Sequence, residues 1–319
     1  MTALARFASA EEWTARLGEK RKPTVVTIGN FDGVHLGHQR ILFGVIERAR
    51  AEKATPAVLT FFPHPSRVLR PSQAPPLLMT LEQRLAAVEA AGIEAALVLR
   101  FDAELAKVTA EAFVKRFVVE TLRARAVMVG GNFRFGHRQA GDAKLLGELG
   151  RRWGFEEHIV PPVEIDGVVV SSSAMRQALA EGKVEEAARL LGRPFALAGE
   201  IRPGTGQGRK LVVPTLNLAT EQECLPKMGV YATEALVEGK CYQSATNVGV
   251  RPTFDGGRLA IESHLLDFSK DLSSGPMEVR FLKRLRDEQK FSGPETLREQ
   301  VLKDIAEAKE FFASEAQRH

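Results

Sequence analysis

His35 and His38 stand three positions apart in the stretch Thr24 to His38, TVVTIGNFDGVHLGH. Two imidazoles at that spacing, with Gly37 between them, suit negative charge that gathers on a phosphate as it is transferred. What precedes them decides where they sit. Val25, Val26, Thr27 and Ile28 form a β-branched apolar run that stops at Gly29, so the run reads as a buried strand. Gly29, Asn30, Phe31, Asp32 and Gly33 then form a turn, and a helical pattern begins at Leu36. The pair therefore falls at a helix start after a strand, where unpaired backbone N–H groups already favour an anion. The chemistry fits nucleotidyl transfer; the plain alternative is two surface histidines near a helix start.

The elements that must hold this stretch repeat through the first half. Candidate strands at Val25–Ile28, Ala57–Phe61, Ala95–Leu99, Ala126–Val129 and Glu156–Val160 alternate with amphipathic stretches near Gln39–Glu52, Leu81–Ala91, Ala110–Glu120 and Ala143–Arg151. That alternation predicts a parallel sheet covered on both faces, with ligands beyond the carboxyl ends of its strands. Three such ends carry unusual residues. After the second strand, Pro63 and Pro65 bracket His64, which is a ligand contact or a simple turn residue. After the fourth comes Gly130-Gly131-Asn132-Phe133-Arg134-Phe135-Gly136. Its glycines permit close backbone approach, Asn132 is donor and acceptor, and Arg134 can meet phosphate. At least one of Phe133 and Phe135 belongs to the core. After the fifth comes Ser171-Ser172-Ser173-Ala174-Met175-Arg176, leading into a helix. Serines there are N-caps at least, and with an arginine one turn on they make a phosphate site.

Helical patterning continues through Val184–Leu191 and breaks at Gly192-Arg193-Pro194. Beyond it the texture changes to short alternating runs at Ala196–Ile201, Gly229–Val237, Tyr242–Val248, Ala260–Leu266 and Met277–Leu285. Such spacing predicts a small antiparallel barrel, with Pro294 opening one closing helix over Glu295–Phe312. The loop Arg202–Lys210 places Gly204, Gly206 and Gly208 beside Arg209 and Lys210. It can hold phosphate on backbone N–H groups or be a plain hairpin loop. Pro214-Thr215-Leu216-Asn217 follows it. Further on, Glu262 and His264 share one face of a strand while Ile261 and Leu265 share the other.

Bulk properties narrow the class. A chain of 319 residues is long for one core, so two domains are expected. It is 44% hydrophobic and 26% charged, with a net charge of +4, which gives no support to a nucleic-acid partner. Cys224 and Cys241 form no metal-ligand spacing or disulfide framework and suit a reducing cytoplasm. No leader is legible at the start, and no run approaches the roughly 20 apolar residues of a membrane span.

From about Thr24 to about Asp304, these segments resemble prokaryotic bifunctional riboflavin kinase/FAD synthetases. Gly29 to His38 matches GxFDGxHxGH, and Phe61 to Pro65 matches F-x-P-H-P. Val129 to Gly136 matches VGxNFxFG, and Val170 to Arg176 matches ISSTxxR with Ser173 for threonine. Gly208 to Leu218 is similar to GRxLGxPTANL, with Val212 for glycine and Leu216 for alanine. Val248 to Phe254 resembles the turn of NVGxRPTF, Ile261 to Phe268 resembles xExHLxDF, and Arg286 to Phe291 resembles the end segment LRxExxF.

The resemblance implies an α/β fold. A Rossmann-like nucleotidyltransferase domain with a parallel sheet occupies 1–186, 187–194 is a linker, and 195–319 is a small antiparallel β-barrel with a closing helix. It implies catalytic roles for His35, His38, Arg176 and Glu262, the last as general base toward the riboflavin 5′-hydroxyl. Nucleotide contacts fall to Gly29, Phe31, Asp32, Gly33, Gly37, Ser171, Ser172, Gly204, Gly206, Gly208 and Lys210. Flavin contacts fall to His64, Asn132, Arg134, Arg286 and Glu288, and Mg²⁺ to Thr215 and Asn217. ATP, riboflavin, FMN and FAD are then substrates and products. No nucleic-acid or membrane partner is implied, and a homo-oligomer is compatible with the sequence but not legible in it. Two rival readings stay open at this point: a barrel that binds flavin without catalysis, for which Val212 and Leu216 speak, and a non-enzymatic nucleotide or RNA sensor.

Overall fold

The computed structural model describes residues 3–18, 22–203, 213–251, 258–270 and 272–317. The chain divides into two units, Met1–Ser171 and Ser172–His319. In the first unit six strands form one parallel sheet: β1 (Ala5–Phe7), β2 (Thr24–Ile28), β3 (Thr55–Phe62), β4 (Ala95–Arg100), β5 (Ala124–Gly130) and β6 (Glu156–Val160), in the order β1-β4-β3-β2-β5-β6. The five strands expected from the sequence are all present. β1 is an addition only three residues long, paired in parallel with β4. It leads into α1 (Ala10–Leu17), capped by Ser9.

The strands read as continuous apolar runs because both faces are covered. Val26 and Ile28 of β2 join Leu59, Leu97 and Val127 in one core cluster with Trp13, Phe117 and Leu146. Val25, Val58, Ala96 and Ala126, one residue out of phase, join another with Leu42 and Val45 of α2 (Leu36–Glu52) and Leu85 and Val88 of α3 (Leu81–Ala90). The stretch expected as a helix at Ala110–Glu120 is one α-turn, Ala110–Phe113, continued as a π-helix over Val114–Thr121. α4 (Ala143–Trp153) precedes β6. The chain runs outward from β2 through β3 to β4 and later returns to β5 on β2's other side. The order therefore reverses between β2 and β5, where open parallel sheets bind their ligands.

In the second unit α5 (Ser172–Glu181) and α6 (Val184–Leu191) precede a closed antiparallel barrel of six strands. These are β7 (Phe195–Arg202), β8 (Leu216–Thr220), β9 (Gly229–Val237), β10 (Lys240–Arg251), β11 (Arg258–Leu265) and β12 (Pro276–Asp287), joined in the order β7-β8-β11-β10-β9-β12. α7 (Pro294–Ala316) has proline in its first turn, as expected, and lays Ile305, Ala308 and Phe312 on Ala232, Ala245 and Leu266. α6 packs on β7 and β12.

Candidate active site

At the head of α2, His35 is the N-cap: its backbone is extended (φ −70°, ψ 172°) and its Nδ1 accepts the His38 N–H at 3.3 Å. With Nδ1 an acceptor, the proton of the neutral ring sits on Nε2. The His38 ring stacks on it at 3.7 Å between centroids and 18° between planes, with the Phe31 ring edge-on at 5.4 Å. Burial first, and the His35 ring second, hold the His38 pKa well below 6.5. The His38 Nδ1 is buried without a hydrogen-bond partner among the described residues. Gly37 explains itself here: a Cβ would stand 3.2 Å from the His35 ring and 3.6 Å from the Val170 carbonyl.

The turn before the pair is strained and tied down from outside. Phe31 (φ 51°), Gly33 (φ 93°) and Val34 (φ 45°) are left-handed, a conformation non-glycine residues keep only when their surroundings impose it. Phe31 and Val34 are buried in the core beneath α2. The Asp32 carboxylate, 3% exposed, accepts from the Leu78 and Met79 N–H groups at 3.0 and 3.1 Å. The buried Arg84 of α3 donates to the Asn30 carbonyl at 2.6 Å. Arg84 and Leu78 escape a reading of the sequence, where nothing local distinguishes them. The side chains of Phe31 and Asp32 thus point into the protein, and it is the turn's backbone that faces the site.

Between the carboxyl ends of these strands lies a cavity of about 540 Å³, walled by phenyl rings including Phe61, Phe101, Phe133 and Phe135. Asn132 and Arg134 line it as well, together with Gly29 and Asn30 from the end of β2. Phe133 and Phe135 stack at 5.2 Å, and Phe135 belongs to the core. Arg134 pairs with Asp142 at 3.1 Å, and Asp142 also caps α4. The Leu145 N–H first, then Arg134, lower the Asp142 pKa. Gly136 (φ +73°) turns the hairpin against Ala110, leaving no room for a Cβ. His64 does not line the cavity. It follows a cis Phe62–Pro63 peptide and caps the short helix Pro65–Leu69, its Nδ1 2.7 Å from the Ser66 hydroxyl, while Pro65 and Leu69 reach the cavity wall.

Ser171 ends the first unit, and Ser172 and Arg176 lie in α5 of the second. Serines at the start of a helix with a half-buried arginine one turn on are the arrangement expected from the sequence.

On the barrel, register does what spacing in the sequence could not. Antiparallel pairing sets Asn217 of β8 opposite Glu262 of β11, and Glu262 opposite Asn247 of β10. Ile261, Ser263 and Leu265 are buried inside while Glu262 and His264 are half-buried on the outer face. The His264 Nδ1 donates to the Pro214 carbonyl at 2.9 Å, fixing the segment that carries Thr215. Leu216 is 8% exposed and points into the barrel, opposite to the face of Asn217. Arg286 is differently engaged: its Nε and Nη2 each donate to Asp304 of α7 at 2.7 Å, and its Nη1 donates to the Asp287 carbonyl. Glu288 is exposed and lies against Gly249. Gly204, Gly206, Gly208, Lys210 and Val212 lie outside the described residues, as do Pro252, Thr253 and Phe254.

A histidine pair at a helix start on a parallel sheet, and a glutamate flanked by two asparagines on a closed barrel, put chemistry-bearing residues in each of the two units. A family model described as FAD synthetase matches residues 17–174, and one described as riboflavin kinase matches residues 191–312. A protein of Escherichia coli K12 named bifunctional riboflavin kinase/FMN adenylyltransferase is 38% identical over 289 residues, 90% of this chain and 92% of its own. The protein of the same name from Pseudomonas fluorescens is 38% identical over 303 residues, 95% of this chain and 97% of its own. The chain belongs to this family of bifunctional riboflavin kinase/FMN adenylyltransferases. A solved structure described as a macrolide-efflux protein from Streptococcus pneumoniae superposes with a TM-score of 0.86 at 28% identity, over 96% of this chain and 99% of that one. No described helix of this chain is long and apolar enough to cross a membrane.

Proposed function

We propose that the barrel transfers the γ-phosphoryl group of ATP to the 5′-hydroxyl of riboflavin, giving FMN and ADP. In the second reaction the FMN phosphate attacks the α-phosphate of another ATP at the N-terminal unit, giving FAD and pyrophosphate. The observation that carries the reading is that the turn leading to the stacked His35–His38 pair, through Gly29 and Asn30, also lines a cavity walled with phenyl rings. A phosphate-handling helix start adjoins a slot for a flat aromatic ring, as joining a flavin to a nucleotide requires.

In the N-terminal unit His35 offers Nε2–H to a phosphate oxygen, and His38 gains a proton as polyphosphate arrives beside it. Gly29, Gly33 and Gly37 let the backbone approach, while Phe31 and Asp32 hold the turn in its strained shape. Ser171, Ser172 and Arg176 bind the β- and γ-phosphates. Asn132 takes the polar edge of the flavin ring, and Arg134 takes the FMN phosphate. His64 acts by ordering the turn beside the cavity.

In the barrel Glu262 accepts the proton of the riboflavin hydroxyl, and Glu288 borders the flavin. Arg286 fastens α7 rather than touching the ring. The oxygens of Thr215 and Asn217 suit a hard divalent ion, and Asn217 stands beside Glu262. They would hold Mg²⁺, which when bound neutralises phosphate charge. The partners are small molecules, and Cys224, buried, and Cys241, exposed, form no disulfide among the described residues, which suits a cytoplasmic protein.

Chromatography of flavins after mixing the protein with riboflavin, ATP and Mg²⁺ tests the whole reading. FMN is expected before FAD, and His38→Ala is expected to stop the sequence at FMN. Unchanged riboflavin together with conversion of supplied FMN to FAD would make the barrel a binding module. Leu216, buried and turned away from the face of Asn217, speaks against that alternative.

A further inference from the structure

Glu262 has a neighbour on each side of its rung. Asn217 is on one, and on the other, across the β10–β11 ladder, is Asn247. Thr246 and Val248 beside it are buried, whereas Asn247 is half-buried on the outer face with Glu262. Residues directly opposite on an antiparallel pair have Cβ atoms about 5 Å apart, within reach of an amide and a carboxylate. The far side of Asn247 is equally marked. Gly249 lies two residues along the same face, and a Cβ there would stand 3.2 Å from the Asn247 Nδ2 and would collide with the Glu288 carboxylate. Gly249 thus leaves open the space in which Glu288 folds back over β10 toward Asn247.

Behind this face the strands are locked. The hydroxyls of Thr233, Ser244, Thr246 and Ser263, all 0% exposed, form one hydrogen-bonded chain inside the barrel, with Thr246 and Ser263 2.8 Å apart. Thr246 and Ser263 immediately adjoin Asn247 and Glu262 in sequence. The register that presents the outer pair is therefore fixed from within.

We infer that Asn247 is a positioning residue of the phosphoryl-transfer site, its amide aiming the Glu262 carboxylate at the substrate hydroxyl. This rests on the reading of the barrel as a riboflavin kinase. The amide Nδ2 is a neutral donor set between two groups that, when ionised, only accept. A glutamate carboxylate stands at the end of several side-chain torsions, and a donor beside it selects one orientation. Phosphoryl transfer depends on positioning more than on covalent help, so a misdirected base costs rate.

The full chain carrying Asn247→Ala or Asn247→Asp is compared with the unsubstituted chain for riboflavin phosphorylation over a range of ATP concentrations. Urea unfolding of the same samples, followed in the second unit, reports that the barrel is folded, and conversion of supplied FMN to FAD reports that the first unit is intact. Expected are a kcat for FMN formation lower by about tenfold or more in both variants, a KM for ATP within about twofold, and unchanged FAD formation. Asn247→Asp keeps the shape and loses the donor, so it decides the matter if Asn247→Ala also lowers the urea midpoint of the barrel. A kcat within about twofold of the unsubstituted chain in both variants overturns the inference. A rise in the KM for ATP at constant kcat also overturns it, since Asn247 would then serve nucleotide binding. An unsubstituted chain that makes no FMN at all overturns the kinase reading, and this role with it.

Discussion

A stacked imidazole pair cannot hold two protons comfortably, and at the head of α2 the division is built in. His35 keeps its Nδ1 occupied by the His38 N–H, while burial and the neighbouring ring keep His38 neutral. The consequence for stability follows from proton linkage. Above pH ~6.5 His38 is neutral both folded and unfolded, so it contributes no pH dependence. Below that value the unfolded chain takes up a proton that the folded chain refuses, so stability falls as the pH drops. The loss is at most about 1.4 kcal/mol for each pH unit crossed until the lowered folded pKa is reached. Urea unfolding of the N-terminal unit is therefore expected to shift to lower midpoints between pH 7 and pH 5.5, and His38→Gln is expected to flatten that decline. A midpoint with the same pH dependence in the variant would mean that other groups carry it.

At the scale of elements, the ion pair between Arg286 and Asp304 decides how α7 sits on the barrel. Both groups are largely buried, with side-chain exposures of 16% and 5%, and the guanidinium fork meets the carboxylate through two hydrogen bonds. Asp304→Ala leaves a buried cation without its partner and is expected to destabilise the second unit by about 3 kcal/mol in urea unfolding. Adding Arg286→Met should recover much of that loss, because removing both charges costs far less than orphaning one. This pair also marks where the sequence stops being legible. Arg286 matches a family segment near the flavin, but its partner lies 18 residues on, in a helix whose lean over β12 no local pattern records. The segment of β8 shows its chemistry at Thr215 and Asn217, and that hides the five-residue strand it also forms. β1 escapes for a related reason: three residues carry no period, and only pairing with β4 makes them a strand. The long strands β2 to β5 and the helices α2 and α3 are legible because burial on two faces, or on one stripe, writes itself into consecutive residues.

For the whole molecule, the start of the second unit is a question of which helices the barrel needs. Packing places α5 and α6 with the barrel from Ser172 onward, whereas the sequence texture suggests a linker at 187–194 and a barrel from 195. Three observations favour the longer unit. α6 buries Val184, Ala187, Leu190 and Leu191, and it packs on β7 and β12. The Leu179 carbonyl accepts the Lys227 N–H at 2.8 Å from the barrel side. Gly182, at φ +79°, leaves the turn between α5 and α6 open to the Arg284 side chain. A fragment of residues 195–319 would expose the barrel surface that Val184, Leu190 and Leu191 cover. At about 1.5–3 kcal/mol for each buried Val or Leu side chain, that fragment is expected to be less stable than one of residues 172–319 by roughly 5 kcal/mol. Both fragments are to be compared by urea unfolding and by riboflavin phosphorylation. If they unfold at the same urea concentration, α5 and α6 are a connector and the boundary belongs at 187–194. If only the longer one folds and makes FMN, the two helices are part of the kinase unit.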